Sequence, residues 1–425
     1  MALTGGFYYR KQWIFFISRE KPPMFWRSRL EKLAAQLRTH DIPVRIELWD
    51  GAHFDLGDPV KVVIRVVAPA GLRHLVLPSL DSLGSAYVEG LLDVDGELAD
   101  IFDVAACLAR HAVRPAGRFG HVVRTVRHTR RIDADAIAYH YDVSNDFYRL
   151  WLDENMVYSC AYFKERGNTL EQAQIQKLDH VLRKIRVQPG QRLLDIGCGW
   201  GALILRAAQQ FGARATGITL SRNQYELARE RIAAAGLEDR CEVLLADYRD
   251  MSGKFDRVTS IGMFEHVGLK NLRAYFAKVR DLLADDGIAL NHGITSTNPD
   301  SGEVAWGGGS FIHRYVFPHG ELPHISLALK EMSAAGLEAF DVENLRRHYA
   351  LTLGHWARRY ERAAEKIRTL VDERRYRIWR MYLAGCAYSF EHAWTSIHQV
   401  LVVRADHPET DRLPLTRDFM YGETA

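Results

Sequence analysis

The run Arg192-Leu-Leu-Asp-Ile-Gly-Cys-Gly-Trp-Gly201 restricts what this chain can fold into more than any other stretch. A short apolar segment ends in an acid, and glycines follow at three alternate positions. An apolar helical pattern begins at once: Leu203, Ile204, Ala207, Ala208 and Phe211 share one face, and Gly212 closes it. Such a run predicts a strand, a tight glycine turn and a helix. The glycines permit positive φ and let a ligand come close to the backbone. Gly-x-Gly alone is shared by dinucleotide sites and plain tight turns. The spacing G-x-G-x-G directly after Asp195, in place of G-x-G-x-x-G, favours a pocket for S-adenosylmethionine (SAM) over a dinucleotide one.

The same strand-and-helix alternation continues downstream. Strands are expected at 192–195, 213–218, 242–246, 257–261 and 287–291. They end respectively at Asp195, at Thr219 and Leu220 with Gln224 a turn later, at Asp247, at Gly262 with Glu265-His266, and at His292. In an open parallel sheet, ligands bind beyond the carboxyl ends of the strands. Polar candidates delivered to one edge by every strand predict a catalytic α/β unit. Helices are expected over 170–185, 325–336 and much of 344–392. A last strand is expected near 401–404, and a loose tail after Asp406.

Upstream, residues 24–108 predict a smaller α/β unit. A helix is expected from Phe25 to Thr39 and strands from Val44 to Trp49 and Val60 to Val67, with Asp50-Gly51 and Asp58-Pro59 as turn signals. Gly84-Ser-Ala-Tyr-Val-Glu-Gly90 suggests no chemistry by itself. Residues 1–23 mix Phe7, Tyr8, Tyr9, Trp13, Phe15 and Phe16 with four cations. That mixture suits a membrane interface, a segment packed on the next domain, or an extension ahead of Met24. Residues 109–132 form a basic linker, with Arg110, Arg114, Arg118, Arg124, Arg127, Arg130 and Arg131 and no acid between Arg110 and Arg131. Anionic phospholipid would gain about 1 kcal/mol per basic residue near its surface. Acidic surface of the protein itself and a nucleic acid backbone are the other partners such a block would attract.

Composition bounds the classes. A chain of 425 residues allows two or three domains, and a net charge of +3 gives no reason to expect nucleic acid. Five scattered cysteines without a C-x-x-C argue for reduced thiols in the cytoplasm and against zinc or a disulfide framework. No run approaches the roughly twenty apolar residues needed to cross a bilayer. A soluble or peripheral protein is expected.

SAM requires polar partners for its ribose and adenine and close backbone around its methionine part. Asp195, Gly197 and Gly199 suit the methionine side and Asp247 the adenine edge. Where many SAM enzymes place a ribose-binding acid this chain has Thr219 and Leu220, so Gln224 is the expected substitute or else a solvated helix residue. Cys160, Glu265, His292 and Tyr349 form a second set. Each has a plain structural reading: a small core thiol, a helix-start acid, a hydrogen-bonded strand-end imidazole. Glu265 and His292 nevertheless share the strand-end edge, where a buried carboxylate beside a histidine suits acid/base work or anion holding.

With these residues in view, the chain resembles the cyclopropane-fatty-acyl-phospholipid synthases and the related mycolic acid cyclopropane synthases. The resemblance spans about Met24 to Arg404. It rests on Tyr139-His-Tyr-Asp-Val-Ser-Asn-Asp-Phe-Tyr148, Tyr158-Ser-Cys-Ala-Tyr-Phe163, Asp195-Ile-Gly-Cys-Gly-Trp-Gly201, Gly217-Ile-Thr-Leu-Ser-Arg-Asn-Gln224, Phe264-Glu-His-Val-Gly268, Phe317-Pro-His-Gly320 and His348-Tyr-Ala350. It implies a class I SAM-dependent methyltransferase fold, Rossmann-like with a mostly parallel sheet, over residues 133–406, behind a smaller N-terminal lipid-engaging domain at 24–108 and ahead of a tail at 407–425. It further implies methyl transfer from SAM to a cis double bond in an acyl chain of a membrane phospholipid. The resulting carbocation would lose a proton to a bound bicarbonate ion and close a cyclopropane ring. By the matching motifs the bicarbonate cage is Cys160, Gly262, Glu265, His292 and Tyr349, and SAM contacts come from Tyr158, Ser159, Gly197, Gly199, Thr219, Leu220 and Gln224. A tryptophan and a glutamate that face SAM in the family are Tyr248 and Arg249 here, which puts that pair in doubt. The resemblance also implies peripheral association with an anionic bilayer at the inner face of the cytoplasmic membrane, and a homodimer. A methyl- or methylene-branched product is the nearest alternative, and a non-catalytic lipid-binding module a more distant one.

Overall fold

The computed structural model describes residues 23–112, 143–299, 308–317, 320–406 and 413–422. Residues 1–22, the basic stretch beyond Ala112, Tyr139 to Asp142 of the first motif, and residues 300–307 lie outside the described residues.

The larger sheet is built from β5 (Arg192–Ile196), β6 (Arg214–Thr219), β7 (Cys241–Leu245), β8 (Phe255–Ile261), β9 (Leu283–Ser296), β10 (Leu337–Asn344) and β11 (Thr395–Arg404), in the order β10-β11-β9-β8-β5-β6-β7. The five strands from β5 to β9 pair in parallel, and β11 runs antiparallel to both β9 and β10. This is the expected α/β architecture. The chain leaves β5 for β6 and β7 on one side and returns to β8 on the other. The crevice beyond β5 and β8 is therefore the switch point, the place in such sheets where a ligand fits.

Strand alternation divides the core between two faces. Leu193, Leu401 and Val403 pack with Leu203, Ile204, Ala207 and Ala208 of helix Ala202–Phe211. Leu194, Val400 and Val402 pack with Tyr275, Phe276 and Val279 of helix Leu272–Leu282. Fully burying one such aliphatic or aromatic side chain stabilises by about 1.5–3 kcal/mol. The two interleaved sets make this sheet the centre of the molecule.

Three expectations need correction. The fifth strand extends over Leu283–Ser296, so His292 lies within it and not at its end. Its polar residues Asn291, His292, Thr295 and Ser296 read as a break, yet β11 pairs with β9 from Ile288 to Ser296 and all four are buried. β10 was not expected at all: it is an edge strand whose outward Phe340 and Val342 blur the alternation. The tail is not loose throughout. Leu413 and Met420 are buried, and helix Asp418–Tyr421 rests on helix Leu170–Lys184.

Upstream, β1 (Val44–Glu47), β2 (His53–Asp55), β3 (Val62–Val66) and β4 (Leu92–Asp95) form a separate sheet, β2-β1-β3-β4, around its own apolar core. The Gly84–Gly90 stretch, mute in sequence, is where this unit docks. A Cβ on Gly84 would sit 3.0 Å from the Phe311 ring, so only glycine allows that helix-on-helix approach. Ser85 and Asp81 accept from Arg314, Glu89 accepts from Arg374 and Tyr315, and the guanidinium groups of Arg377 and Arg380 lie over the Tyr87 ring. Tyr315 belongs to this junction as well, with Arg374 over its ring at 5.4 Å.

Candidate active site

A cleft of about 960 Å³, mouth included, opens at the switch point. Tyr158, Ser159, Asp195, Gly197, Gly199, Thr219, Leu220, Gln224 and Gly262 all line it. Gly197, Gly199 and Gly201 have φ of 80°, 55° and 84°, and helix Ala202–Phe211 starts directly behind the turn. Residues far apart in sequence are thus brought to one wall by the carboxyl ends of β5, β6 and β8.

Local hydrogen bonds set the polar groups of the cleft. The Thr219 hydroxyl donates to Gln224 Oε1 (2.7 Å) and receives Ser221 N–H (3.1 Å), while the Ser221 hydroxyl caps the helix by accepting Gln224 N–H. Gln224 is buried, not a solvated helix residue, and its amide NH₂ remains available to a ligand. Asp195 accepts from the Thr259 hydroxyl (2.8 Å). Burial pushes its carboxyl up to about 6, against the opposing effects of Thr259 and Lys177. Asp247 does not join the cleft lining. Its carboxylate is held by the Arg249 side chain at 2.8 and 2.6 Å, while Tyr248 lines the cleft beside it.

Behind Gly262 lies a drier set. Gly262 N–H donates to the His292 carbonyl (2.8 Å), which ties the cleft wall to β9. Glu265 Oε1 accepts Ile294 N–H (2.6 Å), whereas Glu265 Oε2 is buried with no partner among the described residues. Burial pushes this carboxyl up to about 7. His292 Nδ1 faces the amide of Gln399 (3.2 Å), whose Oε1 accepts from Lys184 Nζ (3.4 Å). With its oxygen given to Lys184, Gln399 presents NH₂ to His292, so the imidazole proton sits on Nε2. That Nε2 is buried and also unpartnered. Burial, with the Lys177 and Lys184 cations, holds His292 well below the usual histidine range, so it is a neutral donor. Tyr349 packs edge-on to Phe390 and Trp356, with Tyr382, Cys160, Cys386 and Glu265 as its titratable neighbours. The Cys160 thiol donates to the Ala161 carbonyl (3.3 Å), and burial pushes its pKa far up. It is a thiol in the core, unsuited to nucleophilic attack.

Aromatic rings close the site from the helical side. Tyr158 lies 5.4 Å from Trp151 and 5.3 Å from Trp356, and Phe317 lies 5.8 Å from Tyr382. The buried lysines were not foreseen. Gln174, Lys177, Val181 and Lys184 form one stripe of helix Leu170–Lys184, all buried. On a helix a polar stripe reads as solvated unless its partners are known; those of Lys184 lie on β10 and β11, and those of Gln174 and Lys177 on the 157–159 segment. Gln174 donates to the Val157 and Ser159 carbonyls, so this helix also fixes the segment that carries Tyr158 and Ser159.

A family model described as mycolic acid cyclopropane synthetase matches residues 128–400, and one described as a domain of unknown function matches 33–115. A Pseudomonas putida protein described as a probable fatty acid methyltransferase is 47% identical, covering 92% of this chain and 100% of its own length. The cyclopropane-fatty-acyl-phospholipid synthase of Escherichia coli (strain K12) is 39% identical over 62% of this chain and 66% of its own. The crystal structure of the mycolic acid cyclopropane synthase CmaA1 with SAH and CTAB matches with a TM-score of 0.61 at 36% identity, over 63% of this chain and 97% of that one. The residues matched by the mycolic acid cyclopropane synthetase model include the glycine turn, the switch-point cleft and the buried set behind it. The chain belongs to the mycolic acid cyclopropane synthetase family and is a SAM-dependent methyltransferase with the class I fold.

Proposed function

We propose that this protein cyclopropanates cis double bonds in acyl chains of membrane phospholipid. The observation that carries this reading is that Glu265 Oε2, just after Gly262, and His292 Nε2, on the strand residue that bonds Gly262, are each buried without a partner among the described residues. Native proteins rarely leave such atoms unsatisfied unless a bound group completes them. Bicarbonate fits, since it both donates and accepts hydrogen bonds, and when bound it would supply the base for the last proton. SAM bound in the cleft supplies the methyl group.

The protein's own part is to aim and to exclude. An isolated alkene is a weak nucleophile, so the double bond must be held against the cleft with water removed. Its π electrons would form the new carbon–carbon bond as the methyl–sulfur bond of SAM breaks and S-adenosylhomocysteine leaves, and loss of one methyl proton from the resulting carbocation would close the three-membered ring. Water reaching the cation would divert it to an alcohol. The ring of Tyr158 lines the cleft with Trp151 and Trp356 packed against it, an apolar side that disfavours water, and a ring face favours positive charge. Gln399 keeps His292 a donor, and Ile294 N–H fixes Glu265. Peripheral binding to an anionic bilayer is part of the proposal. No helix among the described residues is long and apolar enough to cross a membrane, and Met24, Trp49, Val67 and Leu77 of the small unit are exposed.

A second reading is favoured by the relative described as a probable fatty acid methyltransferase: a methyl- or methylene-branched acyl product. Gas chromatography–mass spectrometry of fatty acids from a host rich in cis-unsaturated phospholipid, with and without this protein, separates the two. The expected product is 14 mass units above its alkene precursor and survives mild hydrogenation as a ring does, and Glu265→Gln abolishes it. A branched chain would replace the first reading with the second, and an unchanged profile despite SAM binding would sink both.

A further inference from the structure

One group in the cleft has no role in the proposed chemistry. Lys177 is only 2% exposed yet lines the cleft, where it is the sole lysine or arginine among the described lining residues. Its Nζ donates to Ser159 Oγ (3.0 Å), and no ion pair joins it to a carboxylate among the described residues. An ammonium carries three donors, so two remain. The nearest acids are Asp195 and Asp153. Asp195 accepts from Thr259, and Asp153 accepts Val157 and Asn155 N–H. Burial lowers the Lys177 ammonium to about 8, against the opposing effects of Asp195, Asp153 and Cys160.

A buried cation without a full counter-charge is costly and is normally completed by a partner. Beside it the Ser159 hydroxyl accepts from Lys177, which leaves its own O–H free to donate. One carboxylate received here would take the two free ammonium protons and the serine hydroxyl together. SAM carries one such group, its α-carboxylate. We infer that Lys177, with Ser159, is the counter-ion of the SAM α-carboxylate and selects the amino-acid end of the cofactor. The assignment rests on the SAM cleft but not on the nature of the acyl product.

Isothermal titration calorimetry tests it without turnover. S-adenosylhomocysteine is compared with 5′-methylthioadenosine, which lacks the amino-acid end, on the wild-type protein and on Lys177→Met. Lys177→Met should weaken S-adenosylhomocysteine about 30-fold or more, as truncating one partner of a buried charged pair does, and leave methylthioadenosine within about twofold. Retained methylthioadenosine binding also reports that the cleft is folded. Equal losses for both ligands would make Lys177 a mere support for the 157–160 segment and overturn the assignment. Should the variant not fold, the wild-type protein decides: decarboxylated SAM should bind at least about tenfold more weakly than SAM, and equal binding overturns the assignment. Failure of the wild-type protein to bind S-adenosylhomocysteine at all would instead refute the cleft itself.

Discussion

Glu265 sets a pH-dependent cost inside the native fold that can be measured apart from catalysis. Burial lifts its carboxyl from 4.5 to about 7, and Ile294 N–H only partly counters this. In the unfolded chain the group ionises near its ordinary value. Between those two pH values the native state holds a proton that the unfolded state has lost. Its contribution is therefore most favourable below about 4.5, declines as pH rises, and levels off above about 7. A gap of roughly 2.5 pH units at about 1.4 kcal/mol per unit amounts to about 3 kcal/mol. Glutamine cannot titrate, and it keeps the bond from Ile294 while burying an unpaired amide at a pH-independent cost of about 1–3 kcal/mol. Relative to wild type, Glu265→Gln should thus gain about 3 kcal/mol between pH 4.5 and 8, whatever its offset at low pH. The assay is urea unfolding in carbonate-free buffer at four pH values, followed by the fluorescence of the Trp151, Trp356 and Trp379 cluster. Parallel stability profiles for the two proteins would show that Glu265 titrates alike in both states. The dry site described here would then be wrong.

Two further outcomes follow from packing. At Gly293 an added Cβ would come within 1.9 Å of the Phe264 ring, so Gly293→Ala should destabilise by at least about 1–3 kcal/mol and shift the adjacent Glu265; an unchanged melting temperature with full activity would refute this. Lys184 pairs with Asp341 (2.9 Å) and Glu343 (2.7 Å) in the interior. Lys184→Met should cost about 3–5 kcal/mol through the charges left behind, and a thermal midpoint equal to wild type would count against the buried network.

What was legible in the sequence was local. The strand, glycine turn and helix at 192–212 carry their signals within twenty residues, and so did the order of polar residues along the strand ends. Cys160, Glu265, His292 and Tyr349 were named as a set from the sequence and given a shared role by motif resemblance, but nothing near them in sequence says what completes them. The partner of His292 is Gln399, 107 residues away, and the amide is oriented by Lys184, a further 215 residues from it. Lys177 carried no signal because a lysine on a helix is usually solvated, and β10 was missed because an edge strand need not alternate.

Backbone propensity and turn chemistry act over a few residues, so the sequence by itself determined the α/β alternation, the glycine turn and the edge at which ligands bind. Burial of a charge depends on which distant segments close around it. Only the tertiary structure decided that Lys177 enters the cleft, that Asp247 is held by Arg249, that His292 is a neutral Nε2 donor, and that Gly84 is the seat of the small unit on the catalytic one.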